Sequence, residues 1–180
     1  METKDKLNQF YSNKDPWSYD ANPYDALRRE ILLKEIPSRK YESVLDIGCG
    51  NGFVTTSLPG NKVVGIDISA NAVEAARARA LGQAHLQFFA ASIFDLALNS
   101  PAVLECRFDL IVITGVMYDQ YIGESLSLIY HIINEKLADN GILVTVHIDD
   151  WYKARFPFFL VKSLRYKYRE FEHRLEVYVK

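Results

Sequence analysis

The stretch Val44-Leu-Asp-Ile-Gly-Cys-Gly-Asn-Gly52 decides the fold of this chain. An apolar run ends in the carboxylate Asp46, three glycines then alternate with other residues, and a new apolar segment begins at Phe53. This order predicts a short buried strand that turns sharply into a helix, because glycine tolerates positive φ and lets backbone N–H groups come close to a ligand. Turns of this kind bind nucleotide-like cofactors at the carboxyl edge of a parallel sheet.

Further apolar runs flank the glycine loop, and helical patterns separate them. The predicted strands cover residues 40–46, 62–67, 85–90, 107–114 and 142–148. Ser69 is a predicted N-cap for a helix over 71–81 between the second and third strands. Strands that alternate with helices predict an α/β fold with a doubly wound, mostly parallel sheet and helices on both faces.

The two ends of the chain depart from this alternation. Residues 1–36 are aromatic and partly helical, and we expect them to fold over the cofactor as a lid. Residues 149–180 predict a helix over Trp151–Leu164 and then two antiparallel strands, 165–170 and 175–179, around a turn at Glu172-His173. No repeat or linker interrupts the chain, so we expect one domain over 1–180.

Composition narrows the class of protein. The 180 residues are 24% charged with a net charge of −2, which is typical of a globular protein and gives no general attraction to nucleic acid or anionic membrane. Residues 151–180 nevertheless carry eight lysines and arginines against three glutamates, which fits either an anionic substrate or a solvated face. The two cysteines have no metal-ligand spacing, and the polar N-terminus does not resemble a signal peptide. We expect a soluble, cytoplasmic protein.

Two carboxylates indicate the cofactor. Asp46 and Asp67 each end a predicted strand, so both should lie beside the glycine loop, and Asp67 suits the hydroxyls of a ribose. A pyrophosphate over the loop would be repelled by Asp46, and the spacing of Gly48, Gly50 and Gly52 departs from that of dinucleotide folds. S-adenosyl-L-methionine fits better, because it has a sulfonium and an ammonium where a dinucleotide has phosphates.

These residues resemble a known family. The stretch 44–52 is similar to motif I of the class I S-adenosylmethionine-dependent methyltransferases, and the resemblance extends to 64–69, 108–113 and 137–144. It implies a Rossmann-like, seven-stranded sheet whose last strand runs antiparallel between the fifth and the sixth. The segments at 15–17, 23–24 and 173–178 also resemble the nodulation-type N-methyltransferases that act on amino sugars.

The resemblance also implies a set of cofactor-binding residues. They are Trp17, Arg28, Asp46, Gly48, Cys49, Gly50, Asp67, Ile68, Ser92, Ile93, Thr114 and Gly115. In this reading Asp46 lies near the amino group, Asp67 binds the ribose and Arg28 pairs with the carboxylate, for which a guanidinium supplies a fork of donors. The family often has an acid at the adenine amine, where this chain has Ser92-Ile93. The product would be S-adenosyl-L-homocysteine.

The acceptor and the base are predicted less directly. A hydroxyl acceptor needs a base at some stage, and an amine must be unprotonated to attack. His147 is the preferred base because an imidazole titrates near neutrality, and Tyr118 is a second catalytic candidate. We expect a pocket walled by Tyr11, Tyr19, Tyr118 and the aromatic residues of 151–159. We expect no metal, because Thr114-Gly115 stands where the related metal-dependent enzymes need an acid.

Several functions remain open on the sequence alone. The leading one is methyl transfer to an amine or hydroxyl of a small molecule, with a sugar or amino sugar as the candidate acceptor. The alternatives are a methyltransferase for nucleic acid or protein, a non-catalytic protein that binds the adenosyl cofactor, and a dinucleotide oxidoreductase. The sequence does not favour nucleic acid or a membrane as a partner, and it fits either a monomer or a homodimer.

Overall fold

The computed structural model describes residues 4–12, 16, 19, 21–98 and 101–180. Two helices precede the first strand, α1 (Lys4–Phe10) and α2 (Pro23–Glu35). The strands are β1 (Ser43–Ile47), β2 (Lys62–Asp67), β3 (Leu86–Ala90), β4 (Phe108–Thr114), β5 (Leu137–Ile148), β6 (Phe159–Tyr168) and β7 (Phe171–Val179). The remaining α-helices are α3 (Ala70–Arg79), α4 (Asp95–Leu98), α5 (Asp119–Ile122) and α6 (Leu126–Lys136), and short 3-10 turns cover Thr55–Ser57 and Ala102–Leu104.

The strands form one seven-stranded sheet in the order β3-β2-β1-β4-β5-β7-β6. Strands β1 to β5 pair in parallel, whereas β7 pairs antiparallel with both β5 and β6. The predicted Rossmann-like fold class is therefore confirmed, including the last strand between the fifth and the sixth. Because β1, β2 and β4 are parallel, Asp46, Asp67 and Thr114 reach the same edge of the sheet.

Alternation along the strands gives the sheet an apolar core on each face. Leu45 and Ile47 pack in one core with Ile129 and Ile133 of α6. Val44, on the opposite face, packs in the other core with Leu32 of α2 and Val73 of α3. Strand β1 is therefore packed on both faces, and the glycine loop begins from a buried strand end.

The predicted helix over Trp151–Leu164 is wrong. Residues 151–158 are irregular, and the chain continues as the edge strand β6. Pro157 lacks the N–H that a helix interior needs. The carbonyls of Tyr152 and Ala154 instead accept hydrogen bonds from Nη2 of Arg174 at 2.8 and 3.2 Å.

The hairpin turn also lies earlier than predicted. It is formed by Arg169 and Glu170, where Arg169 has φ +53°, rather than by Glu172-His173. After β4, Gly123 with φ +54° ends α5 before α6 begins. Among the described residues, no helix has both the length and the apolar character required to cross a membrane.

Candidate cofactor and acceptor site

The glycine loop is shaped by conformations that other residues rarely adopt. Gly48, Gly50 and Gly52 have φ of +77°, +53° and +78°. A Cβ on Gly48 would lie 2.2 Å from Cγ2 of Val116, so this position also lacks room for a side chain. The N–H groups of Gly48 and Cys49 donate to the carbonyl of Ile66 at 2.8 and 3.0 Å, which ties the loop to β2.

A cavity of about 810 Å³ opens above this loop at the carboxyl ends of the strands. It brings together almost all of the cofactor-binding residues that the family resemblance implied. They are Arg28, Asp46, Gly48, Cys49, Gly50, Asp67, Ile68, Ser92, Ile93, Thr114 and Gly115. Trp17, the remaining residue of the set, lies outside the described residues.

Asp67 is held by two backbone donors. Its Oδ2 accepts from the N–H of Gly50 and its Oδ1 from the N–H of Ser69, both at 2.9 Å. Ser69 in turn caps α3, since its hydroxyl accepts from the N–H of Ala72. Burial raises the pKa of Asp67 while the two amides oppose that shift. The carboxylate is thus fixed in the cavity wall with lone pairs left for a ligand's hydroxyl groups.

Asp46 is buried, and only one of its two carboxylate oxygens accepts a hydrogen bond. The hydroxyl of Thr55 donates to its Oδ2 at 2.6 Å, whereas Oδ1 has no hydrogen-bond partner. Burial raises the pKa of Asp46 to about 6. A buried acceptor without a donor is costly, so this oxygen is suited to a cationic ligand group such as an ammonium.

Arg28 supplies a positive charge to the same cavity. Its guanidinium lies 5.4 Å from the ring centroids of both Tyr19 and Tyr168, and its side chain is only 12% exposed. The buried Nε has no hydrogen-bond partner, and the contact of Nη2 with Asp25 is long at 3.6 Å. An unmet donor on a buried cation fits an anionic group of a ligand, such as a carboxylate.

Ser92, which was predicted at the adenine end, forms hydrogen bonds within its own turn. Both the N–H and the hydroxyl of Ser92 point to Oδ2 of Asp95, at 2.8 and 2.9 Å, in a turn that leads into α4. Ser92 therefore shapes the cavity through this turn, while Ile68 and Ile93 offer apolar walls.

Aromatic rings also line the cavity. Tyr118 contacts Trp151 edge to face at 5.4 Å between ring centroids, and Trp151 contacts Phe171 at 5.3 Å. Tyr11 and Tyr19 also line the cavity, as predicted, but Phe156 packs in the core instead. Tyr168 and Phe171 were missed by the sequence analysis. The strand predicted over 165–170 contains Tyr168, but the sequence alone did not show that the end of this strand and the start of the next meet the cavity.

Tyr118, the second predicted catalytic residue, lines the cavity and has a defined hydrogen bond. Its hydroxyl accepts from the N–H of Ile148 at 2.8 Å. Burial raises the pKa of Tyr118 above its usual value, so the hydroxyl stays protonated near neutral pH. Since its oxygen accepts from the backbone, its own proton can be donated to a ligand.

His147 does not line the cavity. It is fully buried between Tyr118 and Tyr152, opposite Arg174 on β7. Neither ring nitrogen has a hydrogen-bond partner, and burial lowers the pKa of His147 to about 3. An imidazole that is neutral, enclosed and not among the residues that line the cavity does not support His147 as the base.

The acids after β5 are occupied by salt bridges. Asp149 pairs with Arg174 at 2.6 Å and Arg165 at 2.8 Å, and Asp150 pairs with Lys153 at 2.9 Å. Within the described part of the chain, no group of three or more histidine, cysteine or acidic side chains is arranged to hold a metal ion.

Binding of a ligand with an ammonium group should depend on pH through Asp46. The pKa of Asp46 in the folded protein, about 6, exceeds the ordinary value of 3.8. Protonated Asp46 therefore stabilises the unbound protein at low pH, and this stabilisation is lost as pH rises through about 6. Ionised Asp46 attracts the ammonium, and affinity for S-adenosyl-L-homocysteine should therefore rise up to about tenfold between about pH 5 and about pH 7. Titration calorimetry at these pH values measures the rise.

The matched control is Asp46→Asn, which keeps the shape of the side chain but does not titrate. Its affinity should be lower and flat over the same range. An equal rise in this variant would show that another group carries the pH dependence.

The chain is similar to known methyltransferases. The family described as a methyltransferase domain matches residues 38–174. An uncharacterized protein of Haemophilus influenzae is 31% identical over 133 residues, which are 69% of this chain and 50% of that protein. The O-methyltransferase cnsE of Penicillium expansum is 40% identical over 86 residues, 43% of this chain and 30% of that protein. The chain thus spans half or less of the length of these relatives.

A solved structure of similar fold covers nearly the whole chain. The crystal structure of the N-methyltransferase NodS from Bradyrhizobium japonicum, in complex with S-adenosyl-L-homocysteine, has a TM-score of 0.78 and 24% identity. The alignment covers 98% of this chain and 97% of that one, which supports the fold. With the family match over most of its length, this chain belongs to the methyltransferase-domain family, as motif I predicted.

Proposed function

We propose that this chain binds S-adenosyl-L-methionine in the cavity and transfers its methyl group to an amine or hydroxyl of a small molecule. The observation that carries the proposal is the charge pattern of the cavity wall. Asp46 has an unpaired oxygen, Asp67 is an acceptor held by two amides, and Arg28 has an unpaired buried Nε. These groups complement an ammonium, a ribose diol and a carboxylate, the polar parts of this cofactor.

The same pattern disfavours a dinucleotide. A pyrophosphate over the glycine loop would approach buried Asp46, whose charge cannot be screened by solvent. The loop after β1 also places Gly48, Gly50 and Gly52 at alternate positions, all with positive φ. An oxidoreductase function therefore receives no support.

The cofactor brings an activated methyl group, so the chain's contribution is alignment and exclusion of water. Tyr118 is neutral near pH 7 and can donate its hydroxyl proton to a lone pair of the acceptor. It orients the acceptor but is not a base. An acceptor amine that arrives unprotonated would need no base.

The acceptor is proposed to be a small molecule because aromatic rings line the cavity. Trp151, Phe171 and Tyr118 contact one another along its wall, and flat apolar walls of this kind suit a compact ligand such as a sugar or amino sugar. Tyr11 also approaches the glycine loop, since its hydroxyl lies 3.0 Å from the site of a Cβ on Gly50. This contact supports the lid proposed for the N-terminal segment.

A single sheet joined to both end segments supports the proposal of one domain over 1–180.

A nucleic-acid substrate is disfavoured by the basic C-terminal residues themselves. Most of them form ion pairs with acids of this chain, and these partners leave little uncompensated charge for phosphates. The pairs are Lys153 with Asp150, Arg155 with Glu176, Lys162 with Glu35, Arg165 and Arg174 with Asp149, and Arg169 with Asp25.

The function is tested by methyl transfer from labelled S-adenosyl-L-methionine to a panel of amino sugars, other amines and phenols, with RNA as a separate arm. We expect at least one small acceptor to accelerate formation of S-adenosyl-L-homocysteine. Acceleration by RNA alone would favour the nucleic-acid alternative. Tight cofactor binding without transfer in any arm would favour a non-catalytic protein.

With an acceptor in hand, Tyr118→Phe should lower kcat by about three- to tenfold, the effect of losing one hydrogen bond to the acceptor. Affinity for S-adenosyl-L-homocysteine should stay unchanged, which also shows that the site remains folded. Tyr130→Phe is the control, because this tyrosine bonds to the hydroxyl of Tyr152 and does not line the cavity. An equal loss of kcat in both variants would contradict a role in orienting the acceptor.

A further inference from the structure

Asp25 is a buried carboxylate far from the glycine loop in sequence. It lies in the first turn of α2 with no exposed surface. The hydroxyl of Tyr168 donates to its Oδ1 at 2.6 Å, and Nη2 of Arg169 donates to its Oδ2 at 2.8 Å. Two residues of the β6–β7 hairpin, more than 140 positions away, therefore bind one side chain of α2.

Helix capping does not account for Asp25. An acid in the first turn of a helix ordinarily stabilises it from a solvent-exposed position. Here the cap is already formed by Asn22, whose side chain accepts from the N–H of Tyr24. Burying a carboxylate is costly unless its partners are well placed. Stabilisation of α2 therefore does not explain why Asp25 is buried against the β6–β7 hairpin.

The hairpin side of this contact is also constrained. Arg169 has φ +53°, a conformation that costs a residue with a side chain of order 1–3 kcal/mol. The turn that it forms leads directly into the cavity, which Tyr168, Arg169 and Phe171 line. The strained backbone of Arg169 therefore lies in a turn whose residues line the cavity.

Asp25 is also next to the cation of the site. Arg28 follows it by one helical turn, and Nη2 of Arg28 lies 3.6 Å from Oδ1 of Asp25. The ring of Tyr168, whose hydroxyl bonds to Asp25, has its centroid 5.4 Å from the Arg28 guanidinium. Asp25 therefore contacts both the Arg28 side chain and a residue whose ring lies beside it.

We propose that Asp25 is a positioning residue, which clasps α2 to the Tyr168–Arg169 turn and so holds Arg28 for the carboxylate of the cofactor. This inference rests on the proposed function, because it needs a cofactor with a carboxylate. The clasp makes the protein distinguish adenosyl ligands that carry a carboxylate from those that do not.

The test compares two ligands by calorimetry, S-adenosyl-L-homocysteine and its decarboxylated analogue. The native protein should prefer the first, and Asp25→Asn should reduce this preference about tenfold by weakening the carboxylate-bearing ligand. Affinity for the analogue should change less than about twofold. Tyr168→Phe removes only one hydroxyl and should reduce the preference by about threefold, which keeps the test usable if Asp25→Asn does not fold.

Asp109→Asn is the matched control. Asp109 also accepts two hydrogen bonds, from the N–H groups of Glu42 and Ser43, but it does not line the cavity. The control should keep the native preference. If Asp25→Asn and Tyr168→Phe both keep it as well, the clasp has only a structural role and the inference is overturned, although the proposed function stands. If the native protein binds neither ligand, the proposed function itself has failed.

Discussion

Replacing Asp67 by alanine is expected to weaken binding of S-adenosyl-L-homocysteine by about a hundredfold or more. Two ribose hydroxyls would donate to this carboxylate, and a hydrogen bond to a charged group contributes about 1.5–3 kcal/mol. The variant also releases the N–H groups of Gly50 and Ser69, which shape the loop around the ligand. Titration calorimetry measures the loss directly.

Asp109→Ala separates ligand contact from backbone support. Both carboxylates accept from two backbone amides, but Asp109 does not line the cavity; it lies on β4 and accepts from Glu42 and Ser43 at the start of β1. We expect Asp109→Ala to lower stability and to leave ligand affinity within about twofold of the native value. Native affinity in Asp67→Ala would remove Asp67 from the site.

Gly48→Ala is expected to lower the free energy of unfolding by about 2–5 kcal/mol. Left-handed φ costs a residue with a Cβ about 1–2 kcal/mol, and forcing extra volume into a packed site costs about 1–3 kcal/mol. Both costs apply here, because Gly48 has φ +77° and its Cβ would meet Val116 at 2.2 Å. Urea unfolding at equilibrium gives the change.

Gly82→Ala provides the comparison that isolates the steric contribution. Gly82 has φ +85° but nothing within 4 Å of its Cβ position, so only the conformational cost of about 1–2 kcal/mol applies. A loss in Gly48→Ala no larger than that in Gly82→Ala would mean that Val116 moves aside, and the close fit of the loop would then be wrong.

The sheet and the cofactor side of the cavity were predictable because their signals are local. An apolar run that ends in Asp46 and alternating glycines marks a strand end within nine residues, and parallel pairing then brings Asp67 to the same edge. In the C-terminal region, residues 165–170 and 175–179 were correctly predicted as antiparallel strands, but the segment before them gave no such signal. The first five side chains of the edge strand β6 are all exposed, so they show no alternation, and segment 151–158 is irregular, with a backbone carbonyl bonded to Arg174.

The position of His147 and the contacts of Asp25 were both missed for a related reason. Whether a side chain at a strand end faces the cavity or the core depends on pairing with distant strands, and His147 lies opposite Arg174 of β7. Asp25 is paired with a turn more than 140 residues later. Contacts at such separations leave no pattern in a single sequence.

The central claim is that the loop after β1 serves a cationic adenosyl cofactor. The most direct measurement is a calorimetric titration of the native protein with S-adenosyl-L-methionine, S-adenosyl-L-homocysteine and NAD(H). We predict saturable binding of both adenosyl ligands at one site per chain and no binding of NAD(H). Binding of NAD(H) without binding of either adenosyl ligand would contradict the assignment of Asp46 and Asp67.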